Sequence, residues 1–274
     1  MTWRILLVTL VLCLAWSVAM RLLARPELAE TNSVANRLRI ERWFLDAPVS
    51  NVLVGSSISG RILPAYFKDT SLASMANLGL DGGNPDTGLA LVLNHPTPPA
   101  RVFLEVHRLI MPPSDNDAQL LSVAKGAGLQ SSRYLPWTRA DWRPSTLLYA
   151  WLKQHQTGGA GSPAAVSPTE VSPAPIDPAW VSRIRSKVAA LRVRGTQVIL
   201  LRLPVGVENP ADPQTRSFAD DVASQLDLPL VDLYRWSQRA DLAVTYTDGL
   251  HMTPASAKFM ARGLIEALGS TPMP

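Results

Sequence analysis

The chain has 274 residues, 47% of them hydrophobic and 18% charged, a composition ordinary for a globular protein and sufficient for a sizeable core. Its formal net charge of +4 owes much to Arg4, Arg21 and Arg25, in or beside an apolar N-terminal run. Without them 23 basic residues face 22 acidic ones, so the body lacks the clustered cations that phosphate-backbone binding needs, and nucleic acid is excluded as a partner. Cys13, the one cysteine, lies inside the apolar run and leaves neither a disulfide framework nor a cysteine-based metal site within the chain.

Residues 5–20 carry no charge, and Leu22, Leu23 and Ala24 follow Arg21. Residues 1–25 therefore read as a signal anchor, a single transmembrane helix, in preference to a signal peptide cleaved near Ser17 and Ala19. Leu12 before Cys13 argues against a lipoprotein signal. Arg21, Arg25, Arg37 and Arg39 outnumber Arg4 and oppose export by the positive-inside tendency, whereas the signal-like layout places the body in the periplasm or another extracytoplasmic space. Residues 26–46 read as a linker and lead-in helix.

From residue 47 to about 270, short apolar runs alternate with amphipathic stretches, the pattern of an α/β layered domain on a mostly parallel sheet. Strands are expected at Asn51–Val54, Ser74–Leu78, Arg101–Val106, Gln197–Leu203 and Pro229–Val231. A helix-like stretch from Arg61 to Phe67 follows the first strand. Asn84 ahead of Pro85 reads as a helix cap. Asp177 with Pro178 opens a helix that Gly195 ends, and Thr253 with Pro254 opens a last one ending at Gly269. A helical insert is expected over about residues 113–156, where Trp137, Trp142, Trp151, Tyr134 and Tyr149 gather around Arg133, Arg139 and Arg143. Their packing is expected ahead of sugar stacking or contact with a membrane face. Residues 157–177, rich in Pro, Ala, Ser, Gly and Thr, read as a flexible surface insertion.

The first strand runs straight into Gly55-Ser56-Ser57-Ile58-Ser59-Gly60. A serine there stands at the carboxyl edge of a parallel strand, where free backbone N–H groups favour developing negative charge. Ser59 occupies the place of the second glycine of a nucleophile elbow, and Arg61-Ile62 that of the Lys and Ser or Thr of a phosphate-binding loop, so neither motif is met. A serine nucleophile needs a base, and the chain offers His95, His107, His155 and His251. His155 borders the flexible insertion and His95 reads as a helix-end residue. His107 follows the third strand and could reach the same edge, where it and Arg108 read better as a surface pair. His251 lies three residues after Asp248, which can turn back to orient the imidazole. Glu105, inside an apolar strand, reads as ion-paired or covered by a neighbour.

At these two blocks the chain resembles the SGNH, or GDSL-like, hydrolases, in a membrane-anchored Gly-Ser-Ser variant in which Ser56 replaces the usual aspartate. The resemblance spans about residues 50–268. It implies a three-layer α/β/α flavodoxin-like sandwich with a mainly parallel five-stranded sheet, Ser57 as nucleophile, and Asp248 and His251 as orienter and base. For the oxyanion hole it implies the N–H groups of Ser57 and of a glycine in Asn77-Leu78-Gly79-Leu80-Asp81-Gly82-Gly83. Spacing favours Gly82, with Gly79 and Gly83 as alternatives. The third block departs from the family: Leu104-Glu105-Val106-His107-Arg108-Leu109 offers no asparagine, and Arg108, His107 or Asn116 is left to replace it. Implied with the fold is a serine esterase or O-acyltransferase acting on acyl or acetyl esters of envelope carbohydrate or lipid, without metal or organic cofactor. The missing asparagine keeps open a non-catalytic envelope polysaccharide assembly or binding protein. A metal-dependent hydrolase is disfavoured, because the histidines lack ligand spacing.

Overall fold

The computed structural model describes residues 2–22, 33–109, 112–155, 176–206, 213–240 and 243–269. In chain order the elements are α1 (Thr2–Leu22), α2 (Ser33–Leu45), β1 (Asn51–Gly55), β2 (Met75–Gly79), α3 (Pro85–Leu93), β3 (Arg101–Glu105), α4 (Asp115–Lys125), α5 (Ala127–Tyr134), α6 (Pro144–His155), α7 (Pro178–Val193), β4 (Gln197–Arg202), α8 (Pro213–Leu226), β5 (Leu230–Asp232), α9 (Leu233–Arg239) and α10 (Pro254–Gly269). The strands form one all-parallel sheet in the order β2-β1-β3-β4-β5. Each expected strand is present to within a residue or so at either end.

Successive residues of a strand face opposite sides, and here both sides are covered, which explains why the strands read as unbroken apolar runs. Val52, Val54, Val102, Leu104, Val198 and Leu200 join one core with residues of α3, α7 and α8. Leu53, Phe103, Ile199 and Leu201 join a second with Met260, Ala261 and Leu264 of α10. The order reverses at β1, whose neighbours are β2 and β3, and the crevice at the carboxyl ends of β1 and β3 is where such sheets bind ligands.

Two expectations need correction, and a third lacks support. The stretch from Arg61 to Phe67 is not a helix but two 3-10 turns, Ser59–Arg61 and Pro64–Phe67. Leu63 is extended between them, because the ring of Pro64 disfavours helical geometry in the residue before it. Arg39, counted above as a flanking charge, is half-buried against the body and donates to the carbonyls of Gly79 (2.5 Å) and Gly60 (2.7 Å), so it tells nothing about orientation. The transmembrane expectation lacks support: among the described residues no helix is long and apolar enough to cross a membrane. What α1 does present is apolar surface, with Leu6, Leu12 and Val18 each more than half exposed. It touches the body where Trp16 Nε1 donates to the Trp142 carbonyl at 2.7 Å.

The insert is helical, comprising α4, α5, α6 and 3-10 turns at Pro136–Thr138 and Ala140–Trp142. Ser114 and Asp117 form a capping box at the start of α4, and the Asn84 side chain caps α3 as expected. Most of the 157–177 insertion falls outside the described residues.

Candidate active site

The turn after β1 is built around one buried carboxylate. Parallel pairing sets Val54 beside Leu104, so Gly55 and Glu105 meet at the carboxyl end of the sheet. A Cβ on Gly55 would stand 2.4 Å from Glu105 Oε2 and 2.2 Å from Ser59 Oγ, so only glycine fits. Glu105, fully buried, accepts from the Ser56 N–H (2.9 Å), the Ser59 N–H (3.1 Å) and the Ser56 hydroxyl (2.6 Å). Of the two expectations for this residue, an ion pair or cover by a neighbour, the second describes it: its partners are two backbone N–H groups, which can only donate, and a hydroxyl.

The donors of this turn are otherwise spent. The Ile58 N–H reaches Ser56 Oγ and the Gly60 N–H reaches the Ser56 carbonyl. Asn77 ties the turn to β2 by donating to the carbonyls of Ser59 (2.9 Å) and Ile62 (2.6 Å). From Ser56 to Gly60, Ser57 alone has a backbone N–H without a hydrogen bond among the described residues.

Across the crevice, residues 245–253 fold into a short antiparallel loop through the Tyr246–Met252 bridge, with the Thr247 N–H on the His251 carbonyl and the Thr253 N–H on Thr245. Met252, fully buried in the second core, anchors it. Gly249 has φ +77°, a left-handed turn that other residues adopt at a cost. That turn brings Asp248 Oδ1 under the N–H groups of Leu250 (3.1 Å) and His251 (2.8 Å). Asp248 Oδ2 lies 2.6 Å from His251 Nδ1, and His251 Nε2 lies 2.8 Å from Ser57 Oγ. The carboxylate fixes the tautomer: Nδ1 donates to Asp248 and Nε2 is left to accept from the serine hydroxyl. Partial burial favours the neutral form of Asp248 but is outweighed by hydrogen bonds from the His251 N–H, its imidazole and the Leu250 N–H, which hold the carboxyl at about 2.

The three sequence-predicted catalytic residues, Ser57, Asp248 and His251, are thus in one hydrogen-bonded chain. The oxyanion alternatives separate as well. The Gly79 N–H is bound to Asn77 Oδ1 at 2.6 Å and the Gly83 N–H to the Leu80 carbonyl at 3.0 Å. Gly82, at φ +63°, has no hydrogen bond from its N–H among the described residues. Its loop is braced from two helices: Asn36 of α2 pairs with both the N–H and the carbonyl of Asp81, and Asn116 of α4 donates to that carbonyl at 3.1 Å. Asn116 Nδ2 sits where it would be 2.9 Å from a Cβ on Gly82. Asn116, one of the three candidates for the missing third donor, thus stands beside the glycine that spacing favours for the hole.

His95 is occupied with the backbone of Thr97. Sequence reasoning missed Arg39, which ties the Gly60 and Gly79 carbonyls together from α2. Its burial first, and the neighbouring Arg61 second, lower its pKa to about 10, against the attraction of Asp81. Its only sequence signal is its place in a lead-in helix. Among the described residues no group of three or more His, Cys, Asp or Glu is placed to hold a metal ion. No protein-family model matches this chain, and no curated protein matches it in sequence.

Proposed function

We propose that this chain is a serine acyl-transfer enzyme of the SGNH-like kind, an esterase or O-acyltransferase working through an acyl-enzyme on Ser57. The observation that carries this is the Ser57–His251–Asp248 chain at 2.8 and 2.6 Å, joining residues 194 apart in sequence at the carboxyl edge of a parallel sheet. Ser57 Oγ attacks the ester carbonyl as His251 Nε2 takes its proton, and Asp248 stabilises the imidazolium. The negative oxygen of the tetrahedral intermediate is held by the N–H groups of Ser57 and Gly82 and by the second N–H of the Asn116 amide. The imidazolium returns the proton to the departing alkoxide, and water or an acceptor hydroxyl, deprotonated by His251, releases the acyl group from Ser57.

The Asn116 amide beside Gly82 supports the catalytic reading over a non-catalytic one, whose motive is the absent third-block asparagine. The substrates that suit the resemblance are acyl or acetyl esters of envelope carbohydrate or lipid. A membrane tether through α1, with the enzyme body outside the cytoplasm, accounts for apolar side chains that the body leaves uncovered. The test is turnover of aryl acetate and longer acyl esters by the full chain and by Ser57→Ala. We expect turnover to fall by roughly 10⁴- to 10⁶-fold with no change in thermal midpoint. Equal activity in the two proteins would end the proposal.

A further inference from the structure

The helical insert carries an apolar surface that neither the core nor the catalytic chain uses. On α6, Thr146 and Ala150 are buried, and Ala150 packs with Ala35 of α2. Leu148, Trp151 and Leu152, at the i, i+3, i+4 spacing of one helix face, are instead 56%, 53% and 45% exposed. Tyr134 and Leu135, where α5 ends, are exposed too, Tyr134 at 77%.

The same stretch is basic. Residues 126–155 contain Arg133, Arg139, Arg143 and Lys153 against one acid, Asp141; Arg139 is buried and ion-paired with Asp141 and Asp46, which leaves Arg133, Arg143 and Lys153 as the excess positive charge. The insert is also where α1 meets the body: Trp16 donates to the Trp142 carbonyl, and α1 packs beside the Pro136–Thr138 turn. A bilayer that takes up the apolar surface of α1 has this insert at its boundary. Aromatic and aliphatic side chains near the exposed Arg133 of α5 suit that boundary, where rings lie among headgroups and cations meet anionic lipid.

We infer that the insert is a membrane-contact surface, with Leu148, Trp151 and Leu152 of α6 and Tyr134 of α5 seated in the headgroup layer of an anionic bilayer. The inference rests on the proposed membrane attachment through α1 and adds a second point of contact, which fixes how the body, and with it the catalytic crevice, faces the lipid. It is independent of the chemistry assigned to Ser57.

The experiment uses the full chain with Cys13→Ala and one new cysteine at a time, spin-labelled and reconstituted into vesicles of phosphatidylcholine with phosphatidylglycerol. Labels go on Leu148→Cys and Leu152→Cys, on Val8→Cys in α1, and on Ser224→Cys in α8, beside β5 at the opposite edge of the sheet from α2. Collision with oxygen and with a water-soluble nickel chelate reports immersion. We expect labels at 148 and 152 to favour oxygen over nickel, as at 8, and the label at 224 to show the reverse. Removing phosphatidylglycerol should shift 148 and 152 toward nickel. Lipid-like values at 8 with water-like values at 148 and 152 would overturn the inference and leave the tether standing. Water-like values at all four would overturn both. Protection of 148 and 152 by a soluble glycan, in vesicles that leave them water-accessible, would also overturn it.

Discussion

The two halves of the catalytic chain are held in different ways. The serine half is buried: Ser56, Ser59 and Glu105 are inaccessible to solvent, and three donors converge on one carboxylate. The histidine half is open, with the Asp248 side chain half exposed on a loop that is supported by backbone bonds and one buried methionine. Changes behind Ser57 should therefore cost folding and activity together. Changes behind His251 should cost activity first.

The largest effect belongs to the base. His251→Ala should lower turnover by about 10⁶-fold and Asp248→Ala by about 10⁴-fold, since the imidazole keeps some function without its orienter. Neither should move the urea midpoint much. Next comes Glu105→Ala, which leaves the buried N–H groups of Ser56 and Ser59 without acceptors, at about 1–3 kcal/mol each. Chemical denaturation should show a loss of several kcal/mol, with activity lost in parallel. Glu105→Gln should be milder, because its amide oxygen can keep both N–H groups while the Ser56 hydroxyl turns to accept.

Asn116→Ala tests the third donor. Turnover should fall by roughly 10²- to 10³-fold with KM little changed, the pattern of an interaction made in the transition state. Gly206→Ala probes the open half from behind: a Cβ there would lie 2.0 Å from the Gly249 carbonyl oxygen and push on the loop that aims His251. A displacement near 1 Å costs up to about 10²-fold in rate, so activity should drop before stability does.

The smallest effect is in acid. Asp248 has a folded pKa of about 2 against an ordinary 3.8. A depressed carboxyl adds stability that is complete above the unfolded value and is lost as pH falls through the folded one. The difference in thermal midpoint between the native chain and Asp248→Asn should be constant above about pH 4 and disappear toward pH 2. A difference that grows on acidification would contradict the assigned hydrogen bonds.

The strands were legible because a parallel sheet covered on both faces writes itself as unbroken apolar runs, and the triad because few histidines had to be sorted. What depends on register was not. Glu105 stood out as a charge in an apolar strand, but its partners follow only once β1 and β3 are aligned and Gly55 lies against it. Asn116 reaches Gly82 from an insert with no counterpart in the third block, so spacing alone could not choose it over His107 or Arg108. Arg39 looked like a flanking cation because nothing local to its helix shows that two loops present carbonyls to it. The helix expected after Ser57 failed on a local rule that was available, the effect of Pro64 on Leu63.

The central claim, that Ser57 is an activated nucleophile, is tested most directly by treating the full chain with a fluorophosphonate and measuring intact mass and the modified peptide. One adduct on Ser57, abolished by Ser57→Ala and strongly slowed by His251→Ala, is the expected result. No adduct on the folded native chain, or one that His251→Ala leaves unaffected, would contradict it.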